Sequence, residues 1–146
     1  LFDLGTIEAD VDGNDVMLCN CNLIPEHVRT GHNDELVVTE WDFAGSLTPE
    51  LELGYALTHW TLRPSINRKT VAAFRDGYVD AAGHWPELEL ASFAVAAAGW
   101  LNWTYNTICE AIDPDDSAHV EFAERGTVDL LNRPMTRSSL EQLLAD

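Results

Sequence analysis

The sequence predicts an α+β chain, mostly α, in which a small β-hairpin region is followed by a helical body, all within one domain over residues 1–146. Three observations carry this. Short apolar runs bounded by turn residues occupy the first third of the chain. From Thr48 onward the apolar residues recur at helical spacing. Each later helical run is bracketed by a cap or a break, such as Thr48-Pro49, Gly83 and Pro114.

The elements follow in order. Asp15 to Cys19 (DVMLC) is an apolar strand, and with no helix ahead of it the fold begins on a strand. Asn20 to Glu26 is a loop, because Pro25 interrupts regular structure. His27 to Arg29 and Leu36 to Trp41 are two short strands joined by Gly31-His32-Asn33-Asp34, which has turn chemistry. Asp42 to Leu47 is a loop around Gly45.

A first helix starts at Pro49 behind a Thr48 cap, with Glu50 at the positive end of its dipole. Leu53, Ala56, Leu57 and Trp60 form its apolar face, and Arg63-Pro64-Ser65 ends it. A second helix spans Arg68 to Ala82, with Val71, Phe74 and Tyr78 on one side, and stops at Gly83-His84-Trp85-Pro86. The third, Glu87 to Ile112, is apolar on most sides between Leu90 and Leu101, which places it centrally. Asp113-Pro114-Asp115-Asp116 breaks the chain and recaps a fourth helix, Ser117 to Leu131. A last helix, Ser138 to Leu144, carries Ser138 and Glu141 in capping-box spacing.

Composition narrows the function. The formal net charge is −17, with a single lysine, Lys69. Nucleic acid is therefore not an expected partner, because phosphate contacts need clustered cations. The acidic surplus suits a cationic small molecule, and it equally suits a surface kept acidic for solubility. No run reaches the roughly 18 apolar residues of a membrane span. The acidic start lacks the basic opening of a signal peptide, so the expected location is cytoplasmic. Cys19, Cys21 and Cys109 fit a reducing compartment, and the C-x-C pair is not a structural zinc spacing.

The segment with the most chemical content is Leu18 to Gly45. It reads Asn20-Cys21-Asn22-Leu23-Ile24-Pro25-Glu26-His27-Val28, then Thr39-Glu40-Trp41-Asp42-Phe43-Ala44-Gly45, then Pro49-Glu50-Leu51-Glu52-Leu53. This frame resembles the aminoglycoside phosphotransferase and choline kinase-like family. That family carries His-Gly-Asp-Leu-x-x-x-Asn-Val, then Ile-Asp-Trp-Asp or Glu, then Ala-Gly and Pro-Glu-x-Asp-Leu. The later Gly99-Trp100-Leu101-Asn102-Trp103 also resembles it, so the likeness runs from about Val16 to the end.

The resemblance implies a protein kinase-like C-terminal lobe and phosphoryl transfer from Mg-ATP to a small-molecule hydroxyl, completed by an N-terminal lobe. It assigns the catalytic position to Asn22 and the metal positions to His27, Glu40 and Asp42. Several letters differ from the pattern. Asn22 stands where the family has aspartate, His27 where it has asparagine, Glu40 and Glu52 where it has aspartate, and Asn20 where it has histidine. An amide orients a hydroxyl but takes no proton at neutral pH. Imidazole favours zinc, copper or manganese over magnesium. The alternative is a catalytically inactive, kinase-derived binding or assembly module. Lys69 lies too far downstream to act as the family's phosphate-gripping lysine. A homodimer or a partner chain is expected to cover the face left open.

Other residues carry two readings each. His59 and Trp60 are expected in the core or partly buried. His84, Trp85, Trp100 and Trp103 either line a substrate groove or pack, and Asp113, Asp115 and Asp116 either hold a cation or cap helices.

Overall fold

The computed structural model describes residues 3–9, 16–62, 65–112, 117–132 and 135–145. It is an α+β chain, mostly helical. The expectations on Asp15, Arg63, Pro64, Asp113, Pro114, Asp115 and Asp116 fall outside the described residues.

The described part begins not on a strand but on a single 3-10 turn, Leu4–Thr6. Leu4 is fully buried in the central core, so this turn is part of the helical body. Four three-residue strands follow: β1 (Met17–Cys19), β2 (Val28–Thr30), β3 (Leu36–Val38) and β4 (Gly45–Leu47). They form two separate antiparallel ladders. In one, β1 pairs with β4, with Leu18 opposite Ser46; in the other, β2 pairs with β3, with Arg29 opposite Val37.

Two corrections to the expected strands have one cause. The run expected as strand to Trp41 stops at Val38 because Glu40 takes a left-handed backbone, φ 56° and ψ 60°. No strand continues through that conformation. The chain then makes a 3-10 turn, Trp41–Phe43, with the Trp41 indole N–H donating to the Val38 carbonyl at 2.9 Å. That reversal delivers Gly45–Leu47 alongside β1, where a loop was expected.

Helix α1 (Pro49–Thr61) buries Leu53, Ala56 and Leu57 as expected. Thr58 and Thr61, also buried, donate to the carbonyls one turn earlier, each at 2.7 Å, so their hydroxyls stay satisfied in the core. His59 and Trp60 are half-buried. Helix α2 (Arg68–Ala82) has the expected bounds. The Asn67 side chain accepts from the Lys69 and Thr70 amides, and Gly83 closes the other end at φ 84°.

The third helix is shorter than expected. Residues after Pro86 stay extended to Glu89, which caps a 3-10 turn, Leu90–Phe93, through a reciprocal bond pair with Ser92. Only then does α3 (Ala94–Ile112) begin. Ser92 and Glu89 satisfy the amides that a continuous helix would have used. Nor is α3 buried all round: Ala96 and Ala97 are buried, whereas Ala98 and Gly99 are exposed.

Helix α4 (Ser117–Asn132) follows α3 and packs closely on it, with Ala123 fully buried. Helix α5 (Arg137–Leu144) starts one residue earlier than expected. Its capping box is Thr136 with Ser139, not Ser138 with Glu141. Thr136 has the extended backbone a cap needs, and Glu141 instead pairs with Arg137 at 3.0 Å.

One core unites these parts. Phe93, Leu57, Val71, Ala96, Ala97, Leu140 and Leu143 surround Leu4 and Met135. Strand β1 of the first ladder contacts α1, and the loop from Asn20 to His27 leads from that ladder to the second.

Candidate functional site

The loop between β1 and β2 is held from both sides. Asn20 is buried, and its amide group bridges two segments: Nδ2 donates to the Glu40 carbonyl at 3.3 Å, and Oδ1 accepts from the Asn22 amide at 3.1 Å. Cys21 takes a left-handed backbone, φ 58°. Its N–H is shared between both carboxylate oxygens of Glu52 on α1, at 3.2 and 3.1 Å. A charged acceptor at this point offsets the strain of a non-glycine residue in that conformation.

Asn22 follows directly. Its carbonyl accepts from the Ile24 amide at 2.9 Å and lies 3.0 Å from His27 Nδ1. A carbonyl only accepts, so Nδ1 carries the proton of this bond. The His27 carbonyl in turn accepts from both the amide and the hydroxyl of Thr39, at 2.8 and 3.0 Å, which ties the loop to the hairpin. Trp60 donates its indole N–H to the Leu23 carbonyl at 3.1 Å. Finally, the Tyr55 hydroxyl donates to Asn22 Oδ1 at 3.3 Å.

Of the residues singled out from sequence, Asn22 and His27 are therefore joined by a direct hydrogen bond and are half-buried. Glu40 is connected to them through Asn20. Glu40 and Asp42 are both exposed at the end of the hairpin. Among the described residues no three His, Cys, Asp or Glu side chains gather into a ready-made metal centre. A cation held jointly by protein and phosphate needs only one or two protein carboxylates.

A pocket of about 430 Å³ adjoins this loop. Its walls are Tyr55 and His59 from α1, Trp100 and Trp103 from α3, and Ile24 from the loop itself, with Asp129 of α4 as its acid. The Tyr55 and His59 rings lie 4.5 Å apart, and the two tryptophans 5.3 Å apart. Tyr55 thus belongs to both the pocket wall and the hydrogen-bond network of Asn22.

The other aromatic candidates separate cleanly. Trp85 packs, edge-on to Tyr78 at 5.4 Å and under the Arg75 guanidinium at 5.9 Å. His84 is exposed and lines none of these walls. Sequence reasoning missed Tyr55 and Asp129. A Tyr-x-x-x-His pair on α1, off the Leu53–Leu57 face, was the available signal for Tyr55. Asp129 is one acid among many and gave none.

Burial pushes the Glu52 carboxyl up, and the Cys21 and Asn20 amides counter this in part. Burial, then the neighbouring Glu52 charge, raises the Cys19 thiol to about 11. Cys21 is raised for the same two reasons. A raised acid favours the folded state below its ordinary value. Cys19 therefore supports folding up to about pH 9, and that support is lost as the pH climbs through about 11.

The three thiols should react in a fixed order. Ellman's reagent at pH 8 should modify exposed Cys109 first, then Cys21, then buried Cys19. Cys19 should be slower than an ordinary thiol by about 100-fold, the thiolate fraction lost to its raised pKa. Mass spectrometry of the partly modified chain reads the order, and early modification of Cys19 would contradict the geometry.

No protein-family model, curated protein or solved structure matches the chain.

Proposed function

We propose that this chain is the acceptor-binding, kinase-like C-terminal lobe of an ATP-dependent phosphotransferase of the cytoplasm, acting on a hydroxyl of a cationic small molecule and completed by an N-terminal nucleotide lobe. The observation that carries this reading is Tyr55, which lines the aromatic pocket and bonds Asn22 Oδ1. A substrate seated in the pocket thereby lies beside the residue at the catalytic position.

In this scheme the rings of Trp100, Trp103 and Tyr55 receive an ammonium group, and Asp129 neutralises it. Asn22 orients the hydroxyl rather than deprotonating it. The exposed Glu40 and Asp42 carboxylates, together with His27, are the groups that would hold the metal of Mg-ATP. When bound, that metal would supply charge neutralisation for the transferred phosphoryl group. Lys69 lies in the first turn of α2, its amide held by the Asn67 cap, and has no part in this scheme.

A second reading keeps the pocket without the chemistry. It is a catalytically inactive binding module, favoured by the amide at position 22, whose oxygen is already engaged by Tyr55.

Calorimetry distinguishes the two. The chain is titrated with Mg-ATP, with Mn-ATP and with a hydroxyalkyl trimethylammonium salt. Nucleotide binding together with ammonium binding supports the transferase. Ammonium binding with no heat from nucleotide up to millimolar concentration leaves the silent module. Asp129→Asn and Trp103→Leu should each weaken the ammonium probe about tenfold, the equivalent of about 1.4 kcal/mol. Unchanged affinity in both variants would remove the pocket from either reading.

A further inference from the structure

A second concavity, of about 310 Å³, lies on the other side of Glu52. Met17 and Leu18 of β1, Trp41 from the hairpin turn, and Phe74 and Tyr78 of α2 give it apolar and aromatic walls. Glu52 is the only acid among the described residues of its lining. The rim is unusually apolar for a surface: Leu18 is 71% exposed, Met17 53% and Trp41 52%. The adjoining Phe43 is 67% exposed. Exposed apolar side chains gathered at one groove mark a surface that another molecule covers.

The Glu52 carboxylate is half-buried and accepts from backbone amides, yet no cation among the described residues pairs with it. A half-desolvated carboxylate without a counter-charge is costly, and a cation entering the groove would relieve that cost. Each oxygen retains capacity for a further donor.

Two properties of the chain decide what kind of molecule fits. A second copy would bring another −17 of net charge to a face whose lining residues Trp41 and Pro49 are flanked in sequence by Glu40, Asp42 and Glu50, so like charges oppose self-association. Exposed apolar area also lies outside the lining, on Val16 and Phe43, more than one small cation covers. We propose that this face docks a partner polypeptide through one arginine or lysine side chain, which inserts between Trp41 and Tyr78 to reach Glu52, while apolar residues beside it cover Met17, Leu18 and Phe43. The long apolar stem and cationic head of such a side chain match a groove with aromatic walls and an acidic floor.

The test uses a capped, soluble peptide with one arginine flanked by leucine and valine, and the same peptide with citrulline, a neutral isostere, in place of arginine. Binding is followed by the Trp41 indole signal in two-dimensional NMR. The arginine peptide should saturate that signal and bind at least tenfold tighter than the citrulline peptide. Glu52→Gln should abolish that preference. Because Glu52 also anchors Cys21, the rim variant Met17→Ser/Leu18→Ser is the second arm, and it should weaken both peptides without altering the circular dichroism of the chain. Equal affinity for the two peptides overturns the proposal. So does a free guanidinium salt that binds as tightly as the arginine peptide, which would make the groove a small-molecule site. Concentration-dependent dimers in sedimentation that bury the Trp41 signal would also overturn it, in favour of a second copy.

Discussion

Gly54→Val should leave the chain unfolded at room temperature, and even Gly54→Ala should lower its stability by about 2–3 kcal/mol. The reason is a backbone-to-backbone approach. A Cβ on Gly54 would collide with the Ser92 carbonyl oxygen and would stand 2.7 Å from its carbon and 3.3 Å from the Phe93 nitrogen. None of those atoms can rotate aside. Ser92 is locked to Glu89 by the reciprocal cap, and Phe93 is anchored in the core. Relief therefore requires α1 to move off the 3-10 turn, which opens the core at its centre.

Helix propensity acts the other way, favouring alanine over glycine by about 1 kcal/mol. An internal control separates the two effects. Gly77, on the exposed side of α2, has nothing within 4 Å of its would-be Cβ. Gly77→Ala should stabilise by about 0.5–1 kcal/mol. Urea midpoints read by circular dichroism should thus move in opposite directions for the two glycines. A Gly54→Ala variant as stable as Gly77→Ala would remove the close approach from the account of the fold.

Phe93→Ala should cost about 3–5 kcal/mol, a large share of the roughly 5–15 kcal/mol that holds a domain folded. Phe93 is 0% exposed, and its cluster includes Leu4, Leu57, Leu140 and Leu143, residues drawn from the first turn, α1 and α5. Truncation removes contacts to all three at once and leaves a void that backbone on several sides cannot fill. Tyr105→Ala, at a 67% exposed site on α3, should change stability by no more than about 0.5 kcal/mol. Denaturant titrations of the pair test this directly. Comparable losses at both sites would mean that the core is not centred on Phe93.

Where local chemistry decided an element, the sequence disclosed it. Asn67 and Gly83 fix both ends of α2 through side-chain capping and a positive φ, and neither depends on anything distant. Where a distant partner decided, the sequence was silent. Gly45–Leu47 has no strand preference of its own and becomes β4 only through its pairing with β1. Leu4 stands in an acidic, irregular opening segment, yet the core captures it. Two capping patterns overlap around Thr136 and Ser138, and only backbone geometry selects between them.

The candidate site divides the same way. Asn22 and His27 were singled out through the family resemblance, and the short loop between them brings the Asn22 carbonyl within hydrogen-bonding reach of the imidazole. The pocket was not legible, because Tyr55, Trp103 and Asp129 lie on three helices far apart in sequence, and the chain's many acids hide the one that counts.

The β1–β4 ladder has a kinetic consequence. Cys19 and Gly45 face each other across it, so the stretch from Asn20 to Ala44 is a closed ring whose ends meet at three residue pairs. If that short clasp parts, the ring stays tied to α1 only through the bonds from Glu52, Tyr55 and Trp60, so Asn22, His27 and Glu40 loosen together. Amide hydrogens across the ring should then exchange with solvent at a common rate, slower than a free loop and faster than the core around Phe93. Whatever binds within the ring holds the clasp shut by mass action, so an occupant would reveal itself as slowed exchange throughout the ring before any turnover is detected.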